Sequence, residues 1–135
     1  MTARTNKAII HRYIHELNQR NAAVIDELVA EDFRGTVREG YSRNVTAFPD
    51  YVVTIEEMVA EDDKVVLVWT HRGTHLGVYE GVPPTGKVIV GRHISIYRIF
   101  NNQIIEADGV WDAASIWQQL SLIPETDEIL ASHSK

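Results

Sequence analysis

At 135 residues the chain has the length of a single domain, 1–135, and its 13 Lys and Arg against 19 Asp and Glu leave a formal charge of −6. That sign argues against a phosphate-binding surface, so no nucleic acid partner is expected. A hydrophobic share of 44% and a charged share of 24% suit a packed globular protein, and no apolar run approaches the roughly 20 residues of a membrane span.

With no cysteine there is no disulfide framework, thiolate nucleophile or cysteine-based zinc site, and packing alone must hold the fold. The opening residues MTARTNKAIIHRY contain no uninterrupted apolar segment followed by a small-residue cleavage site, so a cytoplasmic protein is expected.

In chain order, Asn6 to Leu17 place Ile9, Ile10, Tyr13, Ile14 and Leu17 at helical spacing, which predicts an amphipathic helix with Thr5 as its N-cap. Ala22 to Ala30 predicts a second short helix carrying Val24, Ile25, Leu28 and Val29, with polar Asn18 to Asn21 as the break. From Phe33 to Tyr51 no period is sustained and Gly35, Gly40, Ser42, Asn44 and Pro49 intervene. A loop with at most one helical turn is expected there, at a cavity mouth, with Phe33 and Tyr51 as substrate contacts.

Four strands follow, at Val52–Ala60, Lys64–Thr74, Val88–Ile99 and Gln103–Trp111, rich in β-branched and aromatic residues. Short polar turns at Glu61-Asp62-Asp63 and Asn101-Asn102 make them an antiparallel meander. The GVPPTGK segment is a turn set by Pro83, Pro84 and Gly86, without the spacing of a P-loop. Asp112 precedes AASIWQQL and suits a helix cap, and residues from Pro124, with 125–135 as a flexible tail, read as frayed. Helices first and antiparallel strands after imply an α+β fold, a curved sheet wrapped around N-terminal helices into a cone with an apolar interior.

The segments NKAIIHRYIHELNQRN, AFPDYVVTIEEMVAEDDKVVLVWTHRGTHLGVYEGVPPTGK and IIEADGVWDAASIWQQL together resemble the SnoaL-like polyketide cyclase family. The combination of FPD, GTHxG, PPTGK and QL carries the likeness. It implies the cystatin-like cone shared with nuclear transport factor two and ketosteroid isomerase, a cofactor-independent aldol ring closure of a hydrophobic carbonyl compound, and a homodimer or higher oligomer. It also implies an aspartate on the last strand as general acid/base and a tyrosine on the first helix, matched by Tyr13 in RYIHELN, that hydrogen-bonds a substrate oxygen.

Strand alternation places His93, Ser95 and Tyr97 on one face. A turn centred on Asn101-Asn102 puts Ser95 opposite Asp108, with His93 a near diagonal neighbour. If Asp108 faces the apolar cone its ionised form is disfavoured and it can exchange protons near neutrality; if it faces solvent it is an ordinary outer-face strand residue. Asp108 and His93 are the catalytic candidates, with Asp112 the rival acid.

Trp69 and Tyr97 are candidate pocket walls, Tyr13 is either a substrate contact or packing, and His75 reaches the cavity rim or holds the loop at Gly77. His71 and His75, about 13 Å apart along an extended strand, are too far apart to hold one metal ion, and none is expected. Isomerisation, epoxide opening, a hydroxylation step and a non-catalytic small-molecule binding module are the alternatives on the same fold.

Overall fold

The computed structural model describes residues 2–133. The first apolar stripe forms α1 (Ala3–Asn18), which buries Ile10, Tyr13 and Ile14 and packs Ile9 and Leu17 partly. Its cap is Thr2 rather than Thr5: Thr2 is extended at φ −97 and ψ 157, and its hydroxyl accepts from the Thr5 N–H at 3.1 Å. The helix therefore starts three residues before the first stripe residues would suggest, because capping chemistry and apolar spacing are separate signals. The second helix, α2 (Val24–Leu28), is shorter than expected, since Val29 turns to extended backbone and pairs with Ile104.

The largest departure from the sequence expectation is α3 (Glu31–Ala47), 17 residues of helix where a loop was expected. Its two interior glycines argue against it, at about 1 kcal/mol each relative to alanine. Both have open space around a hypothetical Cβ, so they sit where no packing is lost. Phe33, Val37 and Tyr41 lie four residues apart and dock on the core from one side of the helix, and that burial carries the segment.

The strands β1 (Val52–Glu61), β2 (Lys64–Thr74), β3 (Val88–Phe100) and β4 (Gln103–Trp111) form one antiparallel sheet in sequential order. Asn101 and Asn102 both have positive φ, at 50° and 61°, the two-residue turn that matches strand twist. Two bulges bend the sheet, one between Ile55 and Glu57 and one between Arg98 and Ile99 of β3 against β4. The helices α1, α2 and α3 cover its inner face, where Val65, Leu67, Tyr97, Ile99 and Ile104 join the helical side chains in one core. The result is the expected α+β curved sheet wrapped around N-terminal helices.

After β4, Asp112 caps α4 (Ala113–Gln119) by accepting from the Ser115 N–H at 3.0 Å. This helix closes the far end of the sheet with Ile116 and Leu120 against Phe48, Tyr51 and Ile89. Within the expected frayed tail, Thr126–His133 forms α5, which buries none of its residues. No helix among the described residues is long and apolar enough to cross a membrane.

The Leu67 side chain is fully buried at the centre of the inner face. Truncation by Leu67→Ala is expected to cost about 2–5 kcal/mol, the lost transfer energy plus the cavity left behind. Urea unfolding followed by circular dichroism measures it as a lower midpoint at unchanged slope.

Candidate active site

Cross-strand pairing places three rings in a row, because Trp69 of β2 pairs with His93 of β3, and His93 pairs with Trp111 of β4. The His93 ring stacks on Trp69 with centroids 3.8 Å apart and planes 7° from parallel, and Trp111 lies on its other side at 6.2 Å and 14°. Two residues along β2, His71 pairs with Gly91. A Cβ at position 91 would stand 2.3 Å from His71 Cε1, so only glycine leaves the imidazole its place. Tyr51 stacks on the other side of that ring at 5.4 Å and 27°.

These placements bring His71 Nδ1 and His93 Nε2 to 2.7 Å. One of the two nitrogens carries the shared proton and the other accepts it. His71 is 5% exposed and His93 half-buried. Burial brings both down to about 4, and His71 itself lowers His93 further. Both rings are neutral at pH 7, and their stacked aromatic neighbours hold them in position.

The pair forms part of the wall of a cavity of about 140 Å³ that also touches Phe48, Tyr79 and Trp111. A second compartment of about 170 Å³ adjoins it between the helices and the sheet, lined by Tyr13, Tyr41, Tyr97, Trp69, Asn18 and apolar side chains. Asn44 of α3 and Tyr51 line both compartments. Burial raises Tyr13, Tyr51 and Tyr97, the last to about 12 with Ser95 pulling against it. The phenols therefore stay protonated and can donate. No Asp or Glu lines either compartment among the described residues.

The sequence-derived candidates divide accordingly. His93, Tyr13, Trp69, Tyr97 and Tyr51 line these cavities. Phe33 packs against the core without lining either, and His75 is fully buried, its Nδ1 held by Thr85, behind the cavity wall. The expected pairing of Ser95 with Asp108 does not form. The bulge near Ile105 shifts the register by one, so Ser95 faces Gly109 and Asp108 faces Ile96. A slip of one residue moves a side chain to the opposite face. Asp108 is therefore exposed on the outer side of the sheet, accepting from the Gly109 N–H at 2.8 Å.

Asp112, the rival acid, is exposed and engaged as the α4 cap. His71, weighed only as a metal ligand in the sequence, is the residue that completes the site. Its alternation with Trp69 and Gly73 on β2 was a usable signal, since it fixes the inner face. Among the described residues no three His, Asp or Glu side chains gather in a metal-binding arrangement.

Comparison with known proteins agrees with this architecture. The family model for SnoaL-like polyketide cyclases matches residues 7–120. The chain belongs to that family. Solved structures similar to this family member include AclR from Streptomyces galilaeus, at 20% identity and a TM-score of 0.87 over 98% of this chain and 91% of that one. TsrD from Streptomyces laurentii shares 17% identity with a TM-score of 0.84, covering 91% and 99%. A SnoaL-like polyketide cyclase from Agrobacterium tumefaciens shares 17% with a TM-score of 0.77, covering 89% and 99%. At these identities the likeness is one of fold. No protein of curated function matches the sequence.

The imidazole pair makes stability depend on pH in a fixed direction. In the unfolded chain histidine titrates near 6.5, whereas the folded pair resists protonation until about 4. Between those values the unfolded state binds more protons, so folding stability falls as pH drops from 6.5 to 4. The expected loss is on the order of 3 kcal/mol for one ring, and His71→Gln should reduce the dependence without removing it, because burial still lowers His93. Thermal melts of both proteins at pH 7.5, 5.5 and 4.5 measure the difference, which separates the histidines from the carboxylates common to both.

Proposed function

We propose that the protein is a cofactor-independent acid/base enzyme that closes a ring in a hydrophobic carbonyl compound by intramolecular aldol addition. The observation that carries this reading is the 2.7 Å contact between His71 and His93 at the wall of a tyrosine-lined cavity. Membership of the SnoaL-like polyketide cyclase family supports the reaction class. The aspartate implied by the family resemblance is replaced in this proposal by the imidazole pair, since Asp108 stands on the other side of the sheet.

A free ring nitrogen of the pair takes a proton from the carbon next to a carbonyl, leaving an enolate. The enolate carbon attacks a second carbonyl carbon of the same molecule, forming the ring bond and an alkoxide. The alkoxide then takes the proton back from the pair, so substrate and aldol product are isomers. Because the two imidazoles share one proton, a proton gained on one ring can be released from the other. That lets the site serve a carbon and an oxygen at different places.

Each compartment alone is below the roughly 300 Å³ at which drug-sized ligand pockets begin, so the substrate spans both, past Asn44 and Tyr51. The walls supply the folded geometry that makes the attack intramolecular. Tyrosine hydroxyls supply donors for the developing oxyanion, in a setting where burial strengthens each hydrogen bond. Trp69 and Trp111 flank the His93 ring and favour its transient positive form by cation–π attraction, against the cost of burial.

AclR, which shares the fold, carries a provisional hydroxylase description, and a non-catalytic binding module fits the same cavity. His93→Gln and His71→Gln are each expected to lower turnover of an accepted diketone substrate by about two orders of magnitude or more, while Asp108→Asn keeps it. Full turnover in His93→Gln would sink the assignment. Tight ligand binding with no product from any variant would favour the binding module.

The outer sheet face leaves Ile94, Ile96 and Val110 exposed, and an open apolar face of this kind suits burial against a second copy. A homodimer is expected in sedimentation velocity at micromolar concentration, and Ile96→Lys should shift it to monomer.

A further inference from the structure

Two asparagines line the cavities, and the fold engages only one of them. Asn18, at the end of α1, is tied to the sheet: its Nδ2 donates to Val53 O and its Oδ1 accepts from the Val53 N–H, both at 2.9 Å. The side-chain amide of Asn44 has no hydrogen-bond partner among the described residues. The side-chain atoms there that are both sealed in protein and unpartnered are Asn6 Oδ1 and His75 Nε2. The half-buried Asn44 amide is therefore open to space rather than closed in packed protein.

Which space it meets follows from the helix. At 3.6 residues per turn, Asn44 comes round inside the inward stripe of α3 that Phe33, Val37 and Tyr41 define. Val37, Tyr41 and Asn44 accordingly line the second compartment together. Asn44 also lines the histidine compartment and a surface groove of about 280 Å³ between α3 and residues 78–80. Among the described residues it is the only one on all three walls. A leucine would pack on that stripe with no amide to solvate, so the amide is what a packing role leaves over.

We infer that Asn44 is a substrate-binding residue whose Nδ2 donates to a neutral carbonyl oxygen carried near the middle of an otherwise apolar molecule, and that it sets the specificity of the cavity for such compounds. This rests on the reading of the previous section that one molecule spans both compartments. An oxygen held at a wall common to both leaves apolar skeleton to fill the space on either side. A carbonyl oxygen only accepts, which matches the two donors on Nδ2. No Lys or Arg lines either compartment among the described residues, so an anionic group would find no counter-charge there and a neutral one is favoured.

The test compares benzophenone, a carbonyl between two phenyl rings, with diphenylmethane, which has the same rings and no oxygen. Calorimetry gives both affinities for wild type, Asn44→Leu and Asn44→Ala. The ratio of benzophenone to diphenylmethane affinity should fall by about fivefold or more in each variant, as expected for the loss of one hydrogen bond. Thermal melts should show Asn44→Leu at least as stable as wild type. Infrared difference spectra with carbonyl-isotope-labelled benzophenone should show the bound C=O stretch lowered in wild type and returned toward its value in hydrocarbon solvent in Asn44→Leu.

A merely structural role for Asn44 would weaken both probes in parallel and leave the bound carbonyl stretch unchanged, which would overturn the inference. So would an affinity ratio equal to wild type in both variants, or a wild type that binds neither probe up to its solubility limit. A wild type with the Asn44-dependent ratio that turns over no diketone would sink the aldol reading and leave this binding role standing. Diketone turnover with an unchanged ratio would do the reverse.

Discussion

The register of β2 against β3 is the constraint on which the site depends. It sets Trp69 beside His93 and His71 beside Gly91, and those two pairings bring the imidazoles together. The first stacks an imidazole on an indole. The second opens the space that lets another imidazole turn toward it. Since a shift by one residue would exchange the inner and outer faces of the strand, no intermediate arrangement preserves the His71 to His93 contact. The buried Val65, Leu67 and Ile89 on the same face hold that register, because a slip would expose them.

Burial gives the site its chemistry as well as its shape. Low polarity keeps the imidazoles neutral and the phenols protonated at pH 7, so the compartments present bases and donors without any fixed charge. Among the described residues no carboxylate stands on either wall, so burial of the histidines and tyrosines is not offset by a neighbouring negative charge there. Tyr13, Tyr41 and Tyr97 line one compartment and the two histidines the other, with Tyr51 on the wall of both.

Legibility differed sharply between strands and helices. The four strands were readable to within a residue, because β-branched runs between polar turns carry a period of two that tolerates little else. The third helix was not, since Gly35 and Gly40 interrupt it and its apolar spacing at Phe33, Val37 and Tyr41 is sparse. Tertiary burial of those three side chains overrides the weak local preference. The faces of β4 were misjudged for a different reason. A bulge near Ile105 leaves no mark in the composition of IIEADG, yet it turns Asp108 outward and brings Gly109 beneath Ser95.

By itself the sequence determined the α+β class, the antiparallel strand order and the shared strand face of His93, Ser95 and Tyr97, and it favoured the Asp112 cap, because helical and strand periods are local properties of the chain. Only the tertiary structure decided that His71 meets His93, that Asp108 leaves the cavity and that α3 walls it. Each of those outcomes depends on a ladder shift, a missing Cβ across a strand pair, or burial supplied by a distant segment. Such contacts join residues far apart in the chain, and no pattern within a single segment encodes them.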